Sequence, residues 1–136
     1  MNEKHKMPPE PLVSIVDDDV SVRRSTQRLL RCCGLRTETF SSAEDFLQSS
    51  HLAGTSCLLL DVRMPGMDGL ELQRRLAETD HRIPIIFLSA RASEEEESRA
   101  LKAGAARFLR KPVSKDSLLQ ALGAVLKIHL KDQCKD

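Results

Sequence analysis

The sequence predicts an α/β fold, a single doubly wound (βα)5 domain in which a five-stranded parallel sheet carries helices on both faces. Three observations predict it. The chain has 136 residues, enough for one ordinary domain. Short apolar runs alternate with longer segments of helical periodicity. Several of these runs are continuously apolar, which is typical of strands that are buried on both faces of a parallel sheet.

The predicted elements follow one another as five pairs of strand and helix. The strands are predicted at residues 12–16, 35–40, 57–60, 83–88 and 107–109. The helices are predicted at residues 20–32, 43–48, 69–78, 94–103 and 115–130. Right-handed crossovers between parallel strands then place helices on both faces of the sheet, and functional residues at the carboxyl ends of the strands.

Residues that favour helix ends support these boundaries. Asp19 precedes the first helix as an N-cap, and Gly34 follows that helix. Ser93 precedes the fourth helix, which opens with four glutamates that its dipole favours, and Gly104 follows it. The apolar stripe of the last helix consists of Leu118, Leu119, Leu122, Val125 and Leu126.

Charge and composition limit the possible functions. The chain has 21 lysines and arginines against 20 acidic residues, a net charge of +1, which disfavours bulk electrostatic binding to DNA or to an anionic membrane. Residues 1–11 are predicted to form a flexible N-terminal segment, 12–130 the domain and 131–136 a C-terminal tail. No apolar run approaches the roughly 20 residues that cross a bilayer, so we expect no membrane association and a cytoplasmic protein. The four cysteines include no C-x-x-C pair, so we expect reduced thiols.

Four aspartates follow two of the predicted strands. Asp17, Asp18 and Asp19 come directly after the first strand, and Asp61 comes directly after the third. The carboxyl ends of parallel strands lie at one edge of a sheet. An acidic triplet is also typical of a solvated loop that caps a helix, a role that Asp19 fits best. Clustered carboxylates repel one another, and a hard divalent cation with oxygen ligands relieves the repulsion, so Mg²⁺ is the natural candidate.

A hydroxyl group and an ammonium group follow two further strands. Ser89 stands at the end of the fourth strand, and Lys111 follows the fifth. Each alone has an ordinary explanation, a turn hydrogen bond for the serine and a solvated surface charge for the lysine. Together with the acids they supply a cation site, a nucleophile and two donors for an anion. This combination suits phosphoryl chemistry.

Five motifs occur along the chain in a fixed order: V-D-D-D, L-D-V-R-M-P-G-M-D-G, L-S-A, K-A-G-A and F-L-R-K-P. In order and spacing they resemble the receiver domain of two-component response regulators, most closely its FixJ-like branch. The resemblance covers about residues 12–130. It implies the flavodoxin/CheY-like version of the predicted fold.

The resemblance implies roles for the acidic residues. Asp61 is expected to be the phosphoacceptor, receiving a phosphoryl group from the phosphohistidine of a sensor histidine kinase. Asp18 and Asp61, with the backbone carbonyl of Arg63, are expected to bind Mg²⁺ directly, and Asp17 to act through a metal-bound water. The side chains of Arg63 and Arg91 either reach over the phosphoryl group or stay in solvent, and the sequence leaves both positions open.

The resemblance also implies how the domain responds. Lys111 is expected to contact the phosphoryl oxygens, and the Lys111-Pro112 bond to be cis. Ser89 and Phe108 occupy the hydroxyl and aromatic switch positions. Ser89 is expected to move inward to the phosphoryl group, and Phe108 to fill the space that this movement vacates.

The resemblance implies a phosphorylation-activated signalling switch rather than an ordinary enzyme, because such a domain is expected to catalyse only its own phosphorylation and dephosphorylation. Phosphorylation is expected to change the face formed by the fourth helix, the fifth strand and the fifth helix, and to promote a homodimer there. In the fourth helix Ala100 and Leu101 are expected to face the sheet. Glu95 or its neighbours would then lie opposite Arg107 and Arg110 across a two-fold axis.

The expected output is control of transcription, with DNA contacted only through an output domain that is absent from this chain. The alternative is a stand-alone receiver or a phosphorelay intermediate. An aspartyl-phosphate phosphatase is a weaker hypothesis, because such enzymes need a D-x-D motif and a substrate cap for which the chain has no room. Flavodoxin-like FMN binding needs aromatic stacking, and the chain contains no Trp or Tyr.

Overall fold

The structure is a computed structural model that describes residues 10–131. Its strands are β1 (Leu12–Val16), β2 (Arg36–Phe40), β3 (Cys57–Leu60), β4 (Ile85–Ser89) and β5 (Arg107–Arg110). Its helices are α1 (Val20–Cys32), α2 (Ala43–Leu47), α3 (Gly69–Ala77), α4 (Glu94–Lys102) and α5 (Lys115–Leu126). The strands pair in parallel in the order β2-β1-β3-β4-β5. The predicted doubly wound α/β fold is confirmed.

The order of the strands positions the functional edge. β1 lies between β2 and β3, so the chain adds β2 along one edge of β1 and then places β3 along its other edge. At the end of β1, Val16 pairs with Phe40 on one side and with Leu60 on the other. Ligands of such sheets bind at this reversal of strand order, outside the carboxyl ends of the strands. Asp17 and Asp61 are the next residues after β1 and β3.

A hydrophobic core lies on each face of the sheet. On one face, Leu60 and Phe87 pack with buried residues of α2, α3 and α4. On the other face, Leu59 and Ile86 pack with buried residues of α1 and α5. Successive side chains of a strand point to opposite faces, which explains why the central strands are apolar throughout. The two cores hold the strand ends, and therefore the site, in fixed positions.

The predicted caps are present at both ends of the helices. The Asp19 carboxylate accepts two backbone N–H bonds from the first turn of α1, at 2.8 and 3.3 Å. Ser93 and Glu96 form a reciprocal capping box at the start of α4. Gly34 and Gly104, after α1 and α4, have φ angles of 84° and 105°, in the left-handed region that glycine favours.

Two element boundaries differ from the prediction by more than one residue. The last helix ends at Leu126 rather than at residue 130, because Lys127 adopts a left-handed conformation with φ 60° and the Ile128 N–H turns back to the Gly123 carbonyl. β4 begins at Ile85 rather than at residue 83. Pro84 precedes it and has no N–H to donate to a neighbouring strand.

The orientation of α4 differs from the prediction at one residue. Ala100 is fully buried, as expected, but Leu101 is 44% exposed. Successive side chains of a helix point in directions about 100° apart around its axis. A helix that is buried along one narrow stripe therefore cannot direct both Ala100 and Leu101 toward the sheet. The expectation that Leu101 faces the sheet was wrong, and α4 presents a leucine to solvent.

The cysteines differ from the expectation in part. Cys32 is disulfide-bonded, so the expectation of reduced thiols is wrong for this residue. Cys57 is a free, buried thiol at the start of β3, and burial raises its pKa to about 12. This thiol is therefore unreactive at neutral pH.

The predicted N-terminal segment and C-terminal tail lie outside the described residues, except for residues 10, 11 and 131. Within residues 10–131, no helix combines the length and the apolar character that crossing a membrane requires.

Candidate functional site

Three carboxylates meet at the carboxyl edge of the sheet. Asp17 follows β1 with 2% of its surface exposed, Asp61 follows β3 with 8% exposed, and Asp18 is exposed. One oxygen from each carboxylate lies within 4.8 Å of the other two. This closeness follows from the pairing of β1 with β3. Val16 pairs with Leu60, so the residues that follow them, Asp17 and Asp61, lie side by side. The structure therefore brings together the three acids that the sequence indicated.

Lys111 bridges two of these acids. Its Nζ donates to Asp17 Oδ2 at 2.7 Å and to Asp61 Oδ2 at 3.4 Å. Its backbone N–H donates to the Ser89 carbonyl at 3.0 Å, which continues the pairing of β4 with β5. The Lys111-Pro112 peptide bond is cis. The loop after β5 thus places a positive charge against both buried carboxylates.

The charged groups of the site shift one another's pKa. Burial raises the pKa of Asp61, and the charge of Asp17 raises it further, whereas Lys111 and the Arg63 N–H act in the opposite direction. Burial acts to lower the pKa of Lys111, but its hydrogen bonds and attraction to Asp17 and Asp61 outweigh burial and raise the pKa. Lys111 is therefore an ammonium ion at neutral pH. The Asp61 carboxylate sits where additional positive charge is favourable.

The three consecutive aspartates have different positions. Asp17 Oδ1 accepts the Asp19 N–H at 2.9 Å, and the Asp17 carbonyl accepts a bond from Arg23 Nη1 at 2.7 Å. Asp19 caps α1, as predicted, and is not part of the carboxylate cluster. Asp18 completes the cluster from its exposed side. The Asp17 carboxylate is held by the Asp19 N–H and by Lys111 Nζ, and the Arg23 bond holds its backbone.

The segment after β3 is packed closely against Asp61. The Asp61 N–H donates to the Val16 carbonyl, and the Gly69 N–H donates to the Val62 carbonyl at 2.9 Å. A Cβ at Gly69 would lie 2.2 Å from the Asp61 carbonyl oxygen and 3.1 Å from the Phe87 ring. Glycine is therefore required there by close approach, because α3 begins against the backbone of Asp61.

The Arg63 side chain pairs with α4. Its Nη2 donates to Glu96 Oε1 at 2.7 Å, and its backbone N–H donates to Asp61 Oδ1 at 3.4 Å. The same Glu96 oxygen accepts the Ser93 N–H at 2.9 Å. The sequence analysis left the Arg63 side chain either over the site or in solvent. It did not predict the ion pair with Glu96, because the two residues lie in separate segments that no sequence spacing connects. Arg91 is exposed.

The two expected switch residues lie on β4 and β5. Ser89 is fully buried, and its Oγ accepts the Ala92 N–H at 3.2 Å and the Arg91 N–H at 3.4 Å. These are the turn hydrogen bonds that an ordinary serine at a strand end makes. Phe108 is half-buried and stacks on Phe87, with ring centroids 5.6 Å apart.

Arg110 connects β5 to the start of α4. It donates to the Ala92 carbonyl and, at 2.7 Å, to Glu97 Oε1. Its guanidinium lies 5.5 Å from the centroid of the Phe108 ring, within the range of a cation–π contact. The loop that Ser89 anchors and the ring of Phe108 are therefore both in contact with one side chain.

The donor set at the acidic edge fits Mg²⁺. Within the described residues, the cluster consists of carboxylates alone, without thiol or imidazole groups. Mg²⁺ prefers oxygen ligands and keeps several waters, for which the exposed side of Asp18 leaves room. The residues of the site therefore suit a hard divalent cation.

The sequence matches one protein family over most of its length. The model of that family, the response regulator receiver domain, matches residues 13–123. The response regulator protein TmoT of Ectopseudomonas mendocina is 42% identical over 128 residues, which cover 94% of this chain and 58% of TmoT. The transcriptional regulatory protein TdiR of Thauera aromatica is 43% identical over 117 residues, covering 86% of this chain and 52% of TdiR.

A solved structure shares the fold. The crystal structure of FixJ-N has a TM-score of 0.80 and 32% identity, over 88% of this chain and 96% of FixJ-N. The chain spans about half the length of the curated relatives it matches. The matched region of the family includes every strand end that contributes to the site, from Asp17 to Lys111. The chain therefore belongs to the response regulator receiver domain family of two-component signalling systems.

Proposed function

We propose that the chain is a phosphorylation-activated switch that accepts a phosphoryl group from a sensor histidine kinase onto Asp61. The observation that carries the proposal is the cluster of Asp17, Asp18 and Asp61 with Lys111 bonded to two of its members. A cluster of this kind offers a nucleophilic oxygen, a site for a cation and a fixed ammonium group. These are the groups that phosphoryl transfer to a carboxylate needs.

In the proposed reaction, a carboxylate oxygen of Asp61 attacks the phosphorus of the kinase's phosphohistidine. The P–O bond forms while the P–N bond breaks, and the electron pair of that bond returns to the imidazole nitrogen. Lys111 stabilises the charge on the transferred phosphoryl oxygens. Asp18, Asp61 and the Arg63 carbonyl would hold Mg²⁺, with Asp17 acting through a water, and the ion would add further positive charge at the site. Attack of water on the same phosphorus returns Asp61 and releases inorganic phosphate.

The proposed response begins at Ser89. A phosphoryl group adds roughly two negative charges and three acceptor oxygens. To donate a hydrogen bond to it, the Ser89 hydroxyl gives up the position in which it accepts the Ala92 N–H. Ala92 is also held by Arg110, which contacts Phe108, so this change reaches β5 and α4 through contacts that already exist. Chemistry at Asp61 is in this way coupled to the face formed by α4, β5 and α5.

The proposed output is control of transcription. One relative carries the name of a transcriptional regulatory protein, and the relatives are about twice as long as the part that matches this chain. DNA would then be contacted by a further domain rather than by the receiver, whose net charge of +1 does not favour DNA binding. A stand-alone receiver or phosphorelay intermediate is the alternative.

The phosphorylation proposal is tested with acetyl phosphate and Mg²⁺. We expect the mass of the protein to increase by one phosphoryl group per chain, with phosphate released slowly compared with labelling. Omission of Mg²⁺ should prevent most of the labelling. Sustained release of phosphate with little phosphorylated protein would indicate an aspartyl-phosphate phosphatase instead.

Dimerisation through α4 and β5 is the proposed consequence of phosphorylation. Leu101 on α4 is 44% exposed and provides apolar surface for such a contact. Arg110 already pairs with Glu97 of its own chain. In a two-fold dimer, Glu95 of each chain would therefore pair with Arg107 of the other, and both residues are exposed. Each exposed pair contributes only about 0.2–1 kcal/mol, so the effect depends on their sum.

Sedimentation of the beryllofluoride-treated protein should show a dimer that weakens with added salt and with Glu95→Lys. The untreated protein should remain mostly monomeric. Glu38→Lys, which changes the same charge on the opposite edge strand β2, is the control and should leave the dimer intact. A monomer with and without beryllofluoride would contradict this part of the proposal.

A further inference from the structure

The segment that joins β3 to α3 runs without regular structure from Asp61 to Asp68, and we call it the β3–α3 loop. Under the function proposed above, on which this inference rests, its Arg63 carbonyl is a ligand of Mg²⁺. A carbonyl in an irregular loop is a useful ligand only if the loop is held in place. What holds this loop therefore matters for the metal site.

The loop is held at its far end by a residue of α2. Glu44 Oε2 accepts the Met67 N–H at 3.1 Å, across 23 residues of sequence. At its near end the loop is held by the Arg63 N–H bond to Asp61 and by the buried Met64 side chain. Without Glu44, the turn between Met64 and the start of α3 would lose its backbone bond to α2.

The backbone at Gly66 passes close to this carboxylate. Gly66 has a φ of 74°, and a Cβ there would lie 2.8 Å from Glu44 Oε2. A side chain at residue 66 would therefore be strained and would also displace the carboxylate. The turn at Gly66 therefore leaves space for the Glu44 carboxylate beside the loop.

The Glu44 contact has the character of a charged hydrogen bond. The Met67 N–H is the main cause that holds the pKa of Glu44 below its ordinary value, followed by a bond from the residue's own N–H. Glu44 also lies in the first turn of α2, where the helix dipole favours negative charge. The acceptor is therefore a carboxylate at neutral pH, and bonds to charged acceptors are stronger than neutral ones.

We propose that Glu44 is a positioning residue for the metal site, which it serves by fixing the β3–α3 loop that carries the Arg63 carbonyl. Glu44 touches neither the cation nor Asp61. It acts through the Met67 N–H. The ion pair of Arg63 with Glu96 is a second tether of the same loop, but it acts through a long side chain and fixes the backbone less directly.

The proposal is tested by Mn²⁺ titration followed by electron paramagnetic resonance, with Mn²⁺ as the probe for the Mg²⁺ site. Glu44→Ala is expected to weaken Mn²⁺ binding roughly fivefold, less than the full contribution of a charged hydrogen bond, because only part of the lost loop order reaches the metal site. Glu44→Gln keeps an acceptor oxygen and is expected to fall between the native protein and Glu44→Ala. The amide exchange rate of Met67 should rise in the same order.

Two variants serve as controls. Asp45→Ala removes the same charge from the same turn of α2 without a contact to the loop, and it should bind Mn²⁺ as the native protein does. Asp18→Ala removes a proposed direct ligand and should lose most of the binding. Equal weakening in Asp45→Ala and Glu44→Ala would show an effect of charge alone and would overturn the positioning role.

The outcomes separate this proposal from the one on which it rests. If Glu44→Ala binds Mn²⁺ as the native protein does, the positioning role is overturned, even where its Met67 amide exchanges faster. A loss of Mn²⁺ binding in Asp18→Ala would still support the metal site in that case. Absence of Mn²⁺ binding by the native protein, or native binding in Asp18→Ala, overturns the metal site itself.

Discussion

Asp61→Asn is expected to abolish phosphorylation by acetyl phosphate and Mg²⁺. The amide keeps the size and shape of the side chain but has no nucleophilic carboxylate oxygen, so no acyl phosphate can form. Intact-protein mass spectrometry should show one added phosphoryl group in the native protein and none in the variant. Full labelling of Asp61→Asn would show that the acceptor is another residue.

The loss of labelling in Asp61→Asn should not be accompanied by a loss of stability. Because the pKa of Asp61 is raised in the folded protein by burial and by Asp17, its charged form is destabilised there at neutral pH. Replacing it with a neutral side chain of the same shape removes that cost. Thermal unfolding at neutral pH should therefore give a midpoint equal to or above that of the native protein. A marked decrease would mean that the amide disturbs the strand end.

Lys111→Ala is expected to leave some phosphorylation but to uncouple it from the response. Removal of a fixed charged donor from a site of this kind slows the reaction on the order of a hundredfold. The carboxylates of the proposed metal site remain, so slow labelling persists. The response fades, because Lys111 is the residue that joins Asp17 and Asp61 to the loop after β5.

The uncoupling is measured by nuclear magnetic resonance with beryllofluoride as the phosphoryl mimic. Native protein should show chemical-shift changes at Asp61, Ser89 and Phe108. In Lys111→Ala the changes at Ser89 and Phe108 should largely disappear. Lys102→Ala, which removes an exposed lysine of α4, should respond as the native protein does. Changes of native size in Lys111→Ala would exclude this lysine from the coupling.

The sequence predicted the architecture because the relevant signals are local. Continuous apolar runs identified the central strands, and Asp19, Ser93 and the glycines after α1 and α4 marked the helix ends. The carboxylate cluster was predictable for a related reason. In a parallel sheet, the residue that follows each strand lies at the same edge, so position along the chain gives position in space.

The remaining differences depend on contacts between distant parts of the chain. Helix geometry lets only one of Ala100 and Leu101 face the sheet, and packing against the core makes it Ala100. The apolar residues at 128 and 130 continued the helical periodicity of α5 although the backbone turns at Lys127. The bonds of Arg63 to Glu96 and of Glu44 to Met67 join separate segments, and no spacing rule predicts them.

The close approach at Gly69 means that the two sides of the site are held in different ways. On the β3 side, a Cβ at Gly69 would lie 2.2 Å from the Asp61 carbonyl oxygen and 3.1 Å from the Phe87 ring, so the start of α3 is packed tightly against Asp61. Atoms already in close contact cannot move closer, so α3 cannot shift toward Asp61. On the other side, Ser89 and Arg110 hold the β4–α4 connection by hydrogen bonds that can be exchanged for others. Under the proposed function, motion that starts at a phosphorylated Asp61 would therefore be directed toward α4 and β5, while Asp61 itself keeps its position.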